Sequence, residues 1–135
     1  MPTIECTEKQ MRLIQEAVEF TSRFDCGQLG FSYMPHAATK EYWKSTGDEL
    51  TKWLEKRDQM EFYFSVIKKI WWDLEPDANW GVGHDDDADA LFDMYQVIRH
   101  EIWKSKHKDG DPVFYSHDEY PATKFGKEEL IKVKI

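Results

Sequence analysis

The chain has 135 residues and a formal net charge of −8 at pH 7, and 15% of its residues are aromatic. A chain of this length buries roughly two thirds of its unfolded surface, so we expect a single domain over residues 1–135. The acidic balance argues against a nucleic-acid-binding protein, because affinity for the phosphate backbone comes from clustered Lys and Arg.

The hydropathy and the cysteine content of the sequence predict a cytoplasmic protein. The sequence has no apolar run approaching the roughly 18 residues of a membrane span, and no charged leader followed by an apolar stretch. Cys6 and Cys26 are too few for a disulfide-rich secreted domain, so we expect reduced thiols. We therefore expect a soluble cytoplasmic protein without a membrane partner.

A capping box marks the start of the first predicted helix. Thr7 and Gln10 fit the S/T-x-x-E/Q pattern, which places Thr7 at the N-cap. A wide apolar face follows at helical spacing, and Gly27 and Gly30 end the helix. The width of the face indicates packing on two sides.

Two helices are predicted in the middle of the chain. Pro35 precedes a short helix that includes residues 42 and 43, and Gly47 interrupts it. Asp48 is the expected N-cap of a long helix, Glu49–Leu74. Its stripe predicts lengthwise packing against another helix. The stripe consists of Leu50, Trp53, Arg57, Met60, Phe64, Ile67, Trp71 and Leu74.

The segment Asn79–Trp103 combines a glycine turn, an acidic run and a periodic helix. Asp86 or Asp87 is the expected N-cap, and the helix continues to Trp103. Its apolar stripe contains Ala88, Leu91, Tyr95, Ile98 and Ile102. A polar row on the opposite side contains Asp89, Asp93, Gln96 and His100.

Strand character is confined to the last part of the chain. Val113–Tyr115 and Leu130–Ile135 predict a small antiparallel β ribbon. The predicted fold is therefore mainly α, with three main helices, a short one and this C-terminal ribbon. The three main helices should share one core, made by Ile14, Val18, Phe64, Ile67, Leu91, Tyr95 and Ile98.

Several segments carry a resemblance to a known family. They are Glu5–Lys9, Leu13–Ala17, Gly27–Gln28, Gly81–His84, Phe92–Trp103 and Lys132–Ile135. These segments resemble a family of small uncharacterised proteins encoded in bacteriophage and prophage genomes, whose variable part corresponds to residues 29–77. The resemblance implies an accessory role in host takeover or anti-defence, in which the protein binds a nucleotide signal or a host protein in the host cytoplasm.

The first functional hypothesis is an oligomeric protein that sequesters an anionic nucleotide. Phosphates would contact Arg23, Arg57, Gln96, Arg99 and His100. A base would stack on Trp80, Tyr95 or Trp103. Structural alternatives remain open, because Arg99 could pair with Glu16 or Glu19, and Arg57 could lay its stem along the apolar stripe.

The second hypothesis is a metal-dependent enzyme. Glu16 and Glu19 on the first helix, with Asp89 and Asp93 on the last, are spaced to hold magnesium or manganese. This pattern is similar to the acidic helices of all-α nucleotide pyrophosphohydrolases, but Asp stands where a Glu is expected. Acidic residues also serve helix capping. We expect that the protein is not an enzyme and needs no cofactor. Magnesium or manganese would be required only if the enzyme hypothesis holds.

The third hypothesis is a module that binds a host protein. The residues concerned are Trp43 and the pair Trp71 and Trp72, which would dock the partner if they form a contiguous exposed patch. The abundance of Trp and the long apolar stripe also predict self-association, most simply as a dimer.

Overall fold

The computed structural model describes residues 2–107 and 121–134, and within those ranges it is mainly helical. The predicted three main helices and one short helix are confirmed, and a 3-10 turn, Phe31–Tyr33, is added to them. The helices are α1 (Glu8–Asp25), α2 (His36–Lys44), α3 (Gly47–Trp72) and α4 (Asp86–Lys106). None of these described helices has both the length and the apolar composition needed to cross a membrane.

Helices α1 and α4 form an antiparallel pair. Ser22 Oγ, near the end of α1, donates a 2.8 Å hydrogen bond to the carbonyl of Ala88 at the start of α4. At the other end, Lys106 Nζ lies 3.6 Å from Glu8 Oε1. The core between the helices contains Val18, Ile98 and Ile102, with Met11, Leu91, Met94, Ile131 and Val133 packed around it.

The predicted start of α1 is confirmed. Thr7 Oγ1 accepts from the backbone N–H of Gln10 at 3.2 Å, and Gln10 Oε1 accepts from the N–H of Thr7 at 2.8 Å. This reciprocal pair satisfies two helix-terminal donors that would otherwise depend on water.

The predicted N-caps of the other long helices are displaced. Thr46 is the N-cap of α3, and Asp48 lies in the first turn, where its charge still favours the helix dipole. Asp85, not Asp86 or Asp87, caps α4, because its carboxylate accepts from the N–H of Ala88 at 2.8 Å. Where several Asp residues follow one another, the N-cap is the one whose backbone is extended, and that conformation cannot be derived from the residue type.

The predicted contribution of α3 to a shared core is wrong for the described residues. Ile67 is 44% exposed, Ile14 on α1 is 37% exposed, and the buried cluster contains no α3 residue. Ile131 and Val133 of the C-terminal segment pack against α1 and α4 instead. The long apolar stripe therefore did not predict which element covers the α1–α4 pair.

The end of α3 attaches to the end of α1. The rings of Trp72 and Phe24 meet edge to face at 4.9 Å. Gly27 has φ +78°, a backbone conformation that favours glycine, and Leu74 packs directly over it. Lys68 is 3% exposed and donates to the carbonyls that follow the helix, which fixes the turn after α3.

The predicted C-terminal β ribbon is not supported. Residues 130–134 form neither helix nor strand, and the other predicted strand, Val113–Tyr115, lies outside the described residues. The C-terminal segment, residues 121–134, instead lies along α4. The N–H and C=O of Thr123 both bond to the side-chain amide of Gln96, at 3.2 and 3.0 Å.

Candidate functional site

The predicted polar row of α4 is largely occupied by backbone groups. Asp89, Asp93 and Gln96 are 6%, 4% and 7% exposed. Both carboxylate oxygens of Asp89 accept from the N–H of Gly83, at 3.0 and 3.1 Å. The oxygens of Asp93 accept from the N–H groups of residues 125 and 126, each at 2.8 Å. These side chains hold the turn before α4 and the C-terminal segment against the helix.

The acidic residues predicted as metal ligands on α1 also bond within the chain. Glu16 accepts from the N–H of Ala37 at 3.2 Å, which joins α1 to α2. Glu19 forms a 3.1 Å ion pair with Arg23. Among the described residues, no three His, Cys, Asp or Glu side chains are grouped closely enough to hold a metal ion.

Three predicted ligand-binding residues lie together between α1 and α4. Arg99 donates to the hydroxyl of Tyr95 at 3.4 Å, and its guanidinium carbon lies 5.1 Å from the centre of that ring. Burial and then the charge of Glu19 raise the pKa of Tyr95, while Arg99 and Arg23 act in the opposite direction. Arg99 thus contacts Tyr95, and the Glu19–Arg23 ion pair lies near enough to act on the pKa of Tyr95; we call these four residues the charged cluster.

Arg57 lies apart from this cluster. It donates to the Tyr42 hydroxyl at 3.2 Å and pairs with Asp58 at 3.1 Å. The hydrogen bond to Asp58, followed by that to Tyr42, raises the pKa of Arg57. Its side chain is 36% exposed, which agrees with a stem on the helix surface and a guanidinium near an acidic neighbour. Arg57 thus connects α3 to α2.

The predicted base-stacking tryptophans are already stacked on histidines. Trp80 lies parallel to His84 with ring centres 4.3 Å apart. Trp103 stacks on His107 at 4.4 Å and lies 6.1 Å from His100 on its other side. The predicted ligand-binding residues are therefore divided among at least three places on the described structure.

A small cavity lies where the end of α1 meets the start of α4. Its volume is about 120 Å³, against the roughly 300–1,000 Å³ of pockets that enclose drug-sized ligands. The buried thiol of Cys26 lies beside it and donates to the carbonyl of Gly81 at 3.3 Å. Burial, followed by the charge of Asp89, raises the pKa of this thiol, so it stays protonated.

An exposed apolar surface lies on the second half of α3. Ile70 is 77% exposed, Trp71 is 74% exposed and Phe62 is 64% exposed. Helical spacing places Ile70 near the centre of this surface and Phe62 and Trp71 at its two edges, while Lys68 and Trp72 turn toward the protein. We call this surface the α3 patch. It consists of Phe62, Tyr63, Val66, Ile67, Ile70 and Trp71.

Sequence reasoning found only part of this patch. Ile67 and Trp71 belong to the predicted stripe, but Phe62, Val66 and Ile70 form a second stripe four residues apart on a neighbouring face. Apolar residues thus extend around more than one face of α3, which is typical of a helix with neighbours on two sides. This second stripe was the signal that could have located the patch.

Charged residues flank the α3 patch with opposite signs. Lys52 and Lys56 precede it on the same side of the helix, with Glu55 at the edge. Asp73 and Glu75 follow it, with side chains 86% and 71% exposed, and both pair with Lys69 of the same helix, at 2.8 and 3.4 Å. The patch therefore lies between a flank with two lysines and one glutamate and a flank with two carboxylates and one lysine.

Comparison with family models, curated proteins and solved structures finds no match to this chain. Its function is therefore inferred from the contacts and exposed surfaces described above.

Proposed function

We propose that this chain is a protein-interaction module whose α3 patch binds an apolar helix of a partner. The observation that carries the proposal is the contiguous, exposed apolar face on the second half of a 26-residue helix. Exposed apolar patches of several hundred Å² are typical of interaction sites.

The geometry of the patch favours a helix as the bound element. The backbone N–H and C=O groups within α3 bond to each other, so the patch offers a partner side chains and no strand edge. Its residues recur at three- and four-residue spacing, and a second helix presents its own side chains at the same spacing. An apolar helix therefore matches the patch better than an extended peptide.

A labelled model peptide tests this proposal. The probe is a helical peptide of about 26 residues with Leu at alternating three- and four-residue spacing, and its fluorescence anisotropy reports binding. We expect saturable binding to the full chain and at least a tenfold loss of affinity on Ile70→Glu. Equal affinity of the two proteins for the peptide would refute the proposal.

Ile4→Glu is the matched control for that experiment. Ile4 is 80% exposed, close to the 77% of Ile70, but lies before α1 and outside the α3 patch. The control adds the same charge at an equally exposed isoleucine. We expect it to bind the peptide as the unmodified chain does.

We also propose, as a second candidate function, that the charged cluster binds an anionic nucleotide as part of a phage-type anti-defence role. The contact of Arg99 with the Tyr95 ring supports it, because guanidinium groups bind phosphates and an aromatic ring stacks on a base. Arg23 would have to exchange its ion pair with Glu19 for one with the ligand's phosphate.

A thermal-shift series tests nucleotide binding. Cyclic dinucleotides and ADP-ribose derivatives should raise the melting temperature of the chain, and Arg99→Ala should remove that rise. Absence of a shift with every ligand would refute this candidate. Conversion of the ligand to products on addition of magnesium or manganese would instead support the enzyme hypothesis.

A further inference from the structure

We infer that the helix bound by the α3 patch is α3 of a second copy of this chain, in antiparallel orientation. The inference rests on the proposed function, because it names the occupant of the same surface. Three properties of the patch carry it: its self-complementary order of side chains, the opposite charge of its two flanks, and its area.

The order of side chains allows the patch to pack on itself. A two-fold axis between Val66 and Ile67 superimposes the apolar half of one α3 on the apolar half of the other. At the centre of the interface, Tyr63 of each copy then faces Ile70 of the other. Val66 and Ile67 lie on either side of that pair, and Phe62 and Trp71 lie on opposite edges of the interface.

The flanking charges select the antiparallel orientation. Antiparallel pairing brings Lys56 of each copy toward Glu75 of the other, whereas parallel pairing brings each of these charges toward its own counterpart. The helix dipoles favour the same orientation. Each exposed ion pair contributes little stability, so these charges determine orientation more than affinity.

The area of the patch is sufficient for a dimer of moderate affinity. From the exposed fractions of its six side chains, it presents about 600 Å² per copy, or about 1,200 Å² in a dimer. Specific interfaces begin near about 1,200 Å², and those at this lower limit are weak. We therefore expect dissociation constants on the order of micromolar.

Sedimentation of the full chain tests self-association. Between about 1 and 100 µM, the average mass should rise from that of one chain toward that of two. Ile70→Glu should weaken the dimer at least tenfold, whereas the Ile4→Glu control should associate like the unmodified chain. Far-UV circular dichroism melts of both variants verify that they fold.

The possible results separate this inference from the proposed function. A chain that stays monomeric yet binds the model peptide through Ile70 would contradict the second copy as occupant and leave the interaction module standing. Loss of both association and peptide binding would contradict both proposals. A dimer that persists with Ile70→Glu would place its interface elsewhere and contradict this inference.

Disulfide trapping tests the orientation, in a chain whose half-buried Cys6 is replaced by serine. Val66→Cys lies beside the proposed axis and should crosslink two copies on oxidation. In the antiparallel dimer, two Gln59→Cys residues are separated by about 22 Å along the helices, too far for a disulfide. A parallel dimer would crosslink at both positions, so rapid crosslinking of Gln59→Cys would contradict the antiparallel assignment.

Discussion

The two longest helices, α3 and α4, differ in what covers them. The apolar stripe of α4 packs on α1, and the carboxylate of Asp93 and the amide of Gln96, on its polar row, bind the C-terminal segment. Helix α3 is joined to the rest of the protein through Arg57 and Glu61 near its middle and through Trp72 at its end, and Ile70 and Trp71 remain exposed. Stability is thus concentrated around α4, and the surface available to partners lies on α3.

The two helices also use charge differently. On α4, buried carboxylates accept from backbone N–H groups, which compensates for the loss of water around them. On α3, the ion pairs of Arg57 and Lys69 are partly or fully exposed, and such pairs contribute little to stability. Replacing a charged residue should therefore lower stability more on α4 than on α3.

The largest expected effect is at the centre of the α1–α4 core. Ile98 is 2% exposed, and Ile98→Asp would bury a carboxylate without a partner. We expect a loss above about 4 kcal/mol, which is enough to abolish soluble folded protein. Ile98→Val, which removes one methylene, should cost about 1 kcal/mol. Unchanged melting of the Asp variant would refute this assignment of the core.

A smaller loss of stability is expected when the C-terminal segment loses its hydrogen bonds to Asp93. Asp93→Ala removes two hydrogen bonds, to the N–H groups of Phe125 and Gly126, and should cost about 2–4 kcal/mol in urea unfolding. Amide exchange at Phe125 and Gly126 should accelerate. Asp86→Ala is the control, because Asp86 is exposed and pairs with the exposed Lys127. Similar losses in both variants would mean that Asp93 does not anchor the segment.

A pH-dependent gain in stability is expected on replacing Asp25, the last residue of α1. Burial and then the charges of Asp85 and Asp87 raise its pKa above 3.8 in the folded protein. The ionised carboxylate therefore lowers stability above the folded pKa, and this cost disappears below 3.8. Asp25→Asn should raise Tm at pH 7 by on the order of 1–2 °C, allowing for solvent screening. A gain of equal size below pH 3.8 would contradict the electrostatic cause.

The smallest expected effect is on the α3 patch. Ile70→Ser should change the free energy of unfolding by less than about 0.5 kcal/mol at protein concentrations where the chain is monomeric. Ile70 is 77% exposed, so its side chain loses few contacts. A loss comparable with that of Ile98→Val would show that another part of the chain covers the patch, and would remove the contrast between α3 and α4.

Local features of the sequence predicted the helices well. The Thr7–Gln10 capping box, Pro35 before α2 and the apolar stripe of α4 each act within a few residues, so their consequences can be derived from the sequence. The caps of α3 and α4 were displaced by one or two residues because neighbouring Thr, Gly and Asp compete for the same position.

Contacts between distant segments were not predictable in the same way. Asp93 accepts hydrogen bonds from the N–H groups of residues 32 and 33 positions later. Because every residue except proline has a backbone N–H, the sequence does not show which of these groups a carboxylate will bind. Periodicity likewise showed that α3 is apolar on more than one side but did not identify what each side contacts. The metal and nucleotide hypotheses rested on side chains whose partners only the fold identifies.

The hydrogen bond from Ser22 to Ala88 has a consequence for the order of folding. It joins residues 66 positions apart, so the α1–α4 core forms only after a long loop closes, whereas α3 lies inside that loop and forms from local contacts. We therefore expect its apolar face to be exposed on partly folded chains, and the yield of refolding to fall as protein concentration rises because α3 of different chains associates.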